Sequence, residues 1–242
     1  MIKVEGRNPV LEALKTSRPS KVLISDKLRD DPVIQRIVER ARSRRTPVEF
    51  VKVSQLNKTS ETKRHQGVIA LVEVSQYNSV SQVLPRKGDF CVVMLDHVQD
   101  PMNLGSILRT SEAAGVSVVV VPKKGGVGLT PSALRASMGA GLRVPVVRTN
   151  LYQAIKLLGE EGSRIVAVDA SGDVDYYDER LTGSLTLVMG SERRGMSPTL
   201  LEKCDSVVRI PMLGETESLN VGVAAAVVLY ERVRQRRQLE QQ

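Results

Sequence analysis

The chain has 242 residues, 41% hydrophobic and 26% charged, enough for one large packed domain or two small ones. No window approaches a transmembrane span and the N-terminus lacks the apolar core of a signal peptide, so a soluble cytoplasmic protein with no membrane contact is expected. A formal charge of +8 favours a polyanionic partner such as nucleic acid, although a soluble protein of basic pI fits that number equally.

Taken in chain order, residues 1–74 predict a small α/β domain. Asn8-Pro9 matches an N-cap followed by a first-turn proline, opening a helix through Lys15. Residues 21–25 predict a strand. Val33, Ile34, Ile37, Val38 and Ala41 recur at helical spacing over 32–44. Residues 48–51 and 68–72 predict two further strands. Arg40, Arg42, Arg44 and Arg45 form either an RNA-facing patch or a solvated helix end. The polar stretch 75–87 reads as a linker.

From 88 to 242 the pattern alternates more regularly. Apolar strand runs fall at 90–95, 116–121, 165–168, 185–189 and 207–210, with helices at 107–114, 151–158 and about 220–236. Continuous apolar strands interleaved with helices indicate a parallel sheet covered on both faces, which binds ligands beyond the carboxyl ends of its strands. Cys91 and Cys204 sit in apolar runs and read as buried, inert thiols. With His65 and His97 they show no metal-ligand spacing, so no metal is expected. Aromatic residues are 3% of the chain, with no Trp, which argues against a stacking platform for single-stranded bases. Bound RNA would be held by shape and phosphate contacts.

Three stretches carry the chemistry. The first runs from Asp96 through Asp100-Pro101, Asn103 and Gly105 to Arg109-Thr110. On periodicity alone, Asn103 is a helix N-cap and Arg109 a surface residue, or both border a cleft. The second places Met189-Gly190-Ser191-Glu192 and Gly195 directly after a strand, where glycine lets a ligand approach the backbone. The third runs from Ile210-Pro211-Met212 through Ser218-Leu219-Asn220 into an alanine-rich helix, with Ser218 or Asn220 as its cap. The segment Lys123-Lys124-Gly125-Gly126-Val127-Gly128 is a possible phosphate contact. It lacks the full glycine spacing of a dinucleotide loop.

Together these stretches resemble, in order, the three motifs of the SpoU, or TrmH-type, RNA ribose methyltransferases of the SPOUT class. Gly6-Arg7-Asn8-Pro9 and His65-Gln66-Gly67 are similar to the substrate-binding domain of the RlmB-like subfamily. The resemblance implies a parallel-sheet SPOUT domain with a C-terminal trefoil knot, preceded by a small α/β RNA-binding domain. It further implies S-adenosylmethionine as cofactor, a homodimer, and 2′-O-methylation of a guanosine in the P loop of bacterial 23S rRNA. Transfer RNA, a resistance-type ribosomal site, and an assembly factor with a silent methyltransferase domain are the alternatives. The catalytic set implied is Asn103, Arg109, Glu192, Ser218 and Asn220. Gly190, Ile210, Leu219, Met189 and Met212 are the implied cofactor contacts. The resemblance makes Arg109 the base, yet a guanidinium holds its proton tenaciously and is by nature a phosphate clamp. Two positions depart from the RlmB-like pattern. Arg193-Arg194 stand where smaller or acidic residues are usual, and Gly222 where a serine is common.

Overall fold

The computed structural model describes residues 1–74, 77–191 and 195–241. It divides into two compact units, Met1–Ser75 with Leu129–Arg143, and Gln76–Gly128 with Val144–Gln242.

The first unit is a four-stranded sheet in the order β1-β4-β2-β3, formed by β1 (Ile2–Glu5), β2 (Lys21–Ser25), β3 (Val48–Val51) and β4 (Val68–Val72). β4 runs antiparallel to β1 and β2, whereas β2 and β3 are parallel. Helices α1 (Arg7–Thr16) and α2 (Pro32–Ser43) bury Val10, Leu14, Ile34 and Ile37 with Val22 and Ile24 of β2. Helix α3 (Val53–Thr59) sets Leu56 with Leu23 and Ile69 in a separate cluster. Val22 and Ile24 therefore enter one cluster and Leu23 the other, as period-two alternation requires. Asp31 caps α2 through Val33 N at 2.9 Å, and Pro32 occupies the first turn. α1 begins earlier than the Asn8-Pro9 signal suggests. Gly6 is its N-cap, and the side chain of Gln66 accepts a hydrogen bond from Arg7 N at 3.0 Å. Arg40, Arg42, Arg44 and Arg45 are all exposed at the end of α2.

The later segment of this unit carries α5 (Pro131–Ala136) and a 3-10 turn at Ala140–Leu142. Leu134 is fully buried in the cluster with Val10 and Ile34, and Arg143 pairs with Glu12 at 2.5 Å. Residues 129–143, assigned by sequence to the continuous domain 88–242, thus pack as part of the first unit.

The second unit is a seven-stranded, wholly parallel sheet in the order β7-β6-β5-β10-β8-β11-β9. Its strands are β5 (Cys91–Leu95), β6 (Val118–Pro122), β7 (Val146–Thr149), β8 (Arg164–Val168), β9 (Val174–Asp175), β10 (Leu185–Met189) and β11 (Ser206–Arg209). Every residue of β5, β6 and β10 is buried, which explains their unbroken apolar runs. Helices α4 (Pro101–Ala113), α6 (Leu151–Glu160), α7 (Pro198–Leu201) and α8 (Val221–Leu239) complete the unit, with α4 against α8. β10 enters between β5 and β8, which places a reversal of strand order at the centre of the sheet.

Residues 77–84, expected to be linker, instead join this unit. Tyr77 bridges to Val147, Ser79 caps a 3-10 turn at Val80–Gln82, and Val80 is buried in the core with Val92 and Leu151. Cys91 is buried as expected. Cys204 is only half-buried and follows α7 rather than lying in a strand. Burial pushes both thiols up to about 11, far from the thiolate form a nucleophile needs. No helix among the described residues is long and apolar enough to cross a membrane. No group of His, Cys, Asp or Glu that could hold a metal is gathered among them.

Candidate active site

The carboxyl ends of β8, β10 and β11 surround a cavity of about 260 Å³. Val168, Asp169 and Ala170 come from the end of β8, Met189, Gly190 and Ser191 from the end of β10, and Ile210 and Met212 from beyond β11. Glu217, Ser218 and Leu219 close it, with Val221 and Ala224 of α8. The position is the one the strand-order reversal creates, a crevice at a topological switch point.

Gly190 is required by close approach. A Cβ there would meet the backbone of Gly195 at 2.6 Å and of Met196 at 2.7 Å. The returning chain therefore lies directly against the first residue after β10, and Ser191 and Gly195 bond each other's backbones. Two carboxylates fix the described parts of this loop. Buried Asp96 accepts from Ser197 N at 3.2 Å, and Asp169 accepts from Met196 N at 3.4 Å and from Ser171 N at 3.0 Å.

The helix starts are settled by side-chain caps. Asp100, not Asn103, caps α4 through Met102 N at 2.9 Å, with Pro101 in the first turn. Asn220, not Ser218, caps α8, its Oδ1 accepting from Gly222 N at 3.0 Å and Val223 N at 3.4 Å. The other end of the same amide, Nδ2, donates to Asn103 Oδ1 at 3.0 Å. One asparagine thus starts the last helix and ties it to the first turn of α4, 117 residues earlier. Arg109 is exposed on α4, and its guanidinium has no ion pair or side-chain hydrogen bond among the described residues.

The comparisons with known proteins fit this arrangement. The model of the SpoU rRNA methylase family matches residues 90–230, and that of the RNA 2′-O ribose methyltransferase substrate-binding domain matches residues 3–78. The chain belongs to the SpoU/TrmH family of RNA methyltransferases. A protein of the TrmH tRNA/rRNA methyltransferase family from Staphylococcus epidermidis is 39% identical over 99% of this chain and 98% of its own length. The SpoU methyltransferase AviRb from Streptomyces viridochromogenes, solved with its cofactor AdoMet, superposes with a TM-score of 0.84 at 28% identity, over 97% of this chain and 89% of that one. The AdoMet-bound rRNA methyltransferase of Sinorhizobium meliloti gives a TM-score of 0.81 at 26% identity, over 97% and 87%.

In this SpoU-family chain, Met189, Gly190, Ile210, Met212 and Leu219 all line the single cavity described above, and so does Ser218. Asn103 and Asn220 meet directly, while Glu192, with Arg193 and Arg194, lies outside the described residues. Sequence reasoning missed Asp169 as a site residue and gave Asp96, the start of the first stretch, no role of its own. Their signal is positional: each directly follows the last residue of an apolar strand at the ligand-binding end of the sheet.

Proposed function

We propose that the chain transfers a methyl group from S-adenosylmethionine to a ribose 2′-hydroxyl of structured RNA, and that its target is a guanosine in the P loop of large-subunit rRNA. The observation that carries this reading is the meeting of three distant segments: Gly190 and Leu219 line one crevice, and Asn220, next to Leu219, bonds to Asn103. A cavity of about 260 Å³ suits a nucleoside-sized ligand, near the lower end of small-molecule sites. Met189, Ile210, Leu219 and Val221 offer apolar walls for an adenine ring, while Asp169 and Glu217 offer carboxylates to a cation. The donor, when bound, supplies an activated methyl carbon on a sulfonium, so the chain must supply alignment and an outlet for the hydroxyl proton.

Each residue has a physical task in this reading. Gly190 holds the loop backbone against the donor. Asn220 and Asn103 fix the junction of α8 and α4, and Ser218 presents a hydroxyl at the cavity wall. Arg109 grips the phosphate beside the target ribose with its planar fork. The comparison with an rRNA methyltransferase over 97% of this chain supports a ribosomal target. Return of β11 between β8 and β9, after β10 has entered the sheet centre, supports a knotted C-terminal path. Exposed Val223 and Tyr230, seven residues apart on α8, and exposed Met102 on α4 support a homodimer.

Tritiated S-adenosylmethionine incubated with large-subunit rRNA lacking the modification, followed by nuclease digestion, tests the whole reading. The expected product is 2′-O-methylguanosine, at one nucleotide of the P loop, from a preparation sedimenting as two chains. Label on a base, or label in transfer RNA alone, would replace the assignment. No label in any RNA would leave the silent assembly factor as the correct class.

A further inference from the structure

The carboxyl edge of the second sheet carries a second built feature, over β5, β6 and β7, on the other side of β10 from the cavity. Its centre is His97. This residue adopts a left-handed backbone, φ 57°, and its Nδ1 is held at 2.6 Å by Oδ1 of Asp96. The side chain of Asp96 is 4% exposed and that of His97 44%, so a buried carboxylate presents a half-exposed ring. Nε2 has no partner among the described residues. The ring's Cδ2–Nε2 edge lies over Gly125, φ 80°, where an added Cβ would come within 2.9 Å of Cδ2. Glycine at that position therefore satisfies both a left-handed backbone and the imidazole above it.

The turn beneath is fixed from both sides. Gln99 Nε2 donates to Gly125 O at 3.3 Å, and Val127 N to Val98 O at 2.9 Å. Arg148, from β7, donates through Nη2 to Lys123 O at 3.1 Å. Lys123, Lys124 and Arg148 are exposed, and none of the three pairs with a carboxylate among the described residues. Of the neighbouring acids, Asp96 is engaged by His97 and Ser197 N, and Asp100 caps α4. Three cations with no carboxylate partner among the described residues, and an oriented imidazole, thus lie exposed over a glycine turn that lets a ligand reach the backbone. A basic cluster carried on a turn held by hydrogen bonds suits closely spaced phosphates, and the scarcity of aromatic side chains removes base stacking as its purpose.

We infer that His97, Lys123, Lys124 and Arg148 form an RNA-backbone grip on the catalytic unit itself, separate from the N-terminal unit and from the donor cavity. β6 lies two strands from β10, on the order of 10 Å. The grip therefore takes phosphates a few nucleotides from the methylated ribose. Asp96 joins the two features, since one oxygen holds His97 and the other holds Ser197 N beside the donor loop. The inference rests on the proposed RNA substrate.

Binding of an in vitro transcribed large-subunit rRNA to the full chain, measured over a series of salt concentrations, tests it. Lys123→Ala/Lys124→Ala is expected to lose about tenfold in affinity or more at low salt. The slope of log affinity against log salt should become shallower by about 1.4–1.8, the signature of two lost phosphate contacts. The Arg/Arg replacement at the same positions should restore that slope. His97→Asn, a residue that tolerates the left-handed backbone, should raise KM for RNA severalfold and leave kcat nearly unchanged. Calorimetric titration with S-adenosylmethionine should match wild type in every variant, which shows that the fold is intact. Affinity within twofold of wild type and an unchanged slope in the double alanine variant, with donor binding intact, would overturn the grip while leaving the enzyme assignment standing. A wild-type chain that methylates no RNA would overturn the enzyme assignment, and the salt slopes would still decide the grip.

Discussion

Arg109→Ala is expected to lose methyl transfer by at least about a hundredfold while binding S-adenosylmethionine as tightly as the wild type. Arg109 does not line the cavity, so removing it leaves the donor's surroundings unchanged. What is lost is the grip on substrate. The guanidinium is exposed and has no ion pair among the described residues, so a phosphate can reach its planar fork. An in-line displacement tolerates little error, and a misplacement of about 1 Å in the attacking atom costs on the order of a hundredfold. Arg109→Lys separates charge from shape. It keeps the cation but loses the planar fork, so it should recover RNA affinity more fully than kcat. A tritium-transfer assay beside a donor titration reads both quantities. Near-normal turnover in the alanine variant would remove Arg109 from the site.

The second large effect concerns the RNA-binding unit. Glu5, at the end of β1, is fully buried, an unusual place for a carboxylate. Burial works to raise its pKa, but hydrogen bonds from the Thr62 side chain, Glu61 N, the Ser60 hydroxyl and Thr62 N outweigh it and hold the group below its ordinary value of 4.5. One carboxylate therefore anchors the whole turn before His65. His65 continues the tie, its Nε2 within 2.9 Å of Asn57 Oδ1 and its Nδ1 accepting from Gly67 N at 3.0 Å. Lys63 and Arg64 are left exposed on that anchored turn.

Glu5→Ala removes the acceptor and leaves four donors behind, at a cost on the order of 3 kcal/mol. In a chain of this size that lowers the melting temperature by roughly 6–12 °C. The pH dependence has a definite sign. A carboxyl whose folded pKa is depressed contributes its full stability above the unfolded value, and that contribution disappears as pH falls through the folded value. The difference in melting temperature between wild type and Glu5→Gln should thus be constant at neutral pH and shrink below about pH 4.5. A difference independent of pH would show that the carboxylate charge has no part in holding the turn.

Much of the second unit was legible because its signals are local. β10 falls at the predicted 185–189, and β5 within one residue of its prediction, since strands buried on both faces must be apolar throughout. What escaped depends on distant partners. β1 went unread because Lys3 and Glu5 break its apolar pattern, and Glu5 is compatible with burial only through a turn 55 to 57 residues away. Residues 129–143 look like part of the catalytic half, yet Leu134 is buried with Val10 and Ile34 of the first unit. No periodicity records which core a short helix will enter. The cavity-lining set was found through motif resemblance rather than spacing. Spacing alone left Asn103 as a cap or a cleft residue; Asp100 takes the cap, and the side chain of Asn103 meets Asn220 instead. Asp169 was missed because a lone aspartate after a strand is indistinguishable from an ordinary loop residue until the fold brings it to Met196.

The most direct test of the donor site is a calorimetric titration of S-adenosylmethionine into the wild-type chain and into Gly190→Ala. The added methyl would have to displace the backbone of Gly195 and Met196, which lie 2.6 and 2.7 Å from it, at the wall of the cavity. Wild type should bind the donor, and Gly190→Ala should bind it at least about tenfold more weakly, a difference of about 1.4 kcal/mol, while its melting temperature without the donor falls by several degrees, as an overpacking cost of about 1–3 kcal/mol requires, and its unfolding stays cooperative. Equal affinity in the two chains would place the donor somewhere other than the crevice at the ends of β8, β10 and β11.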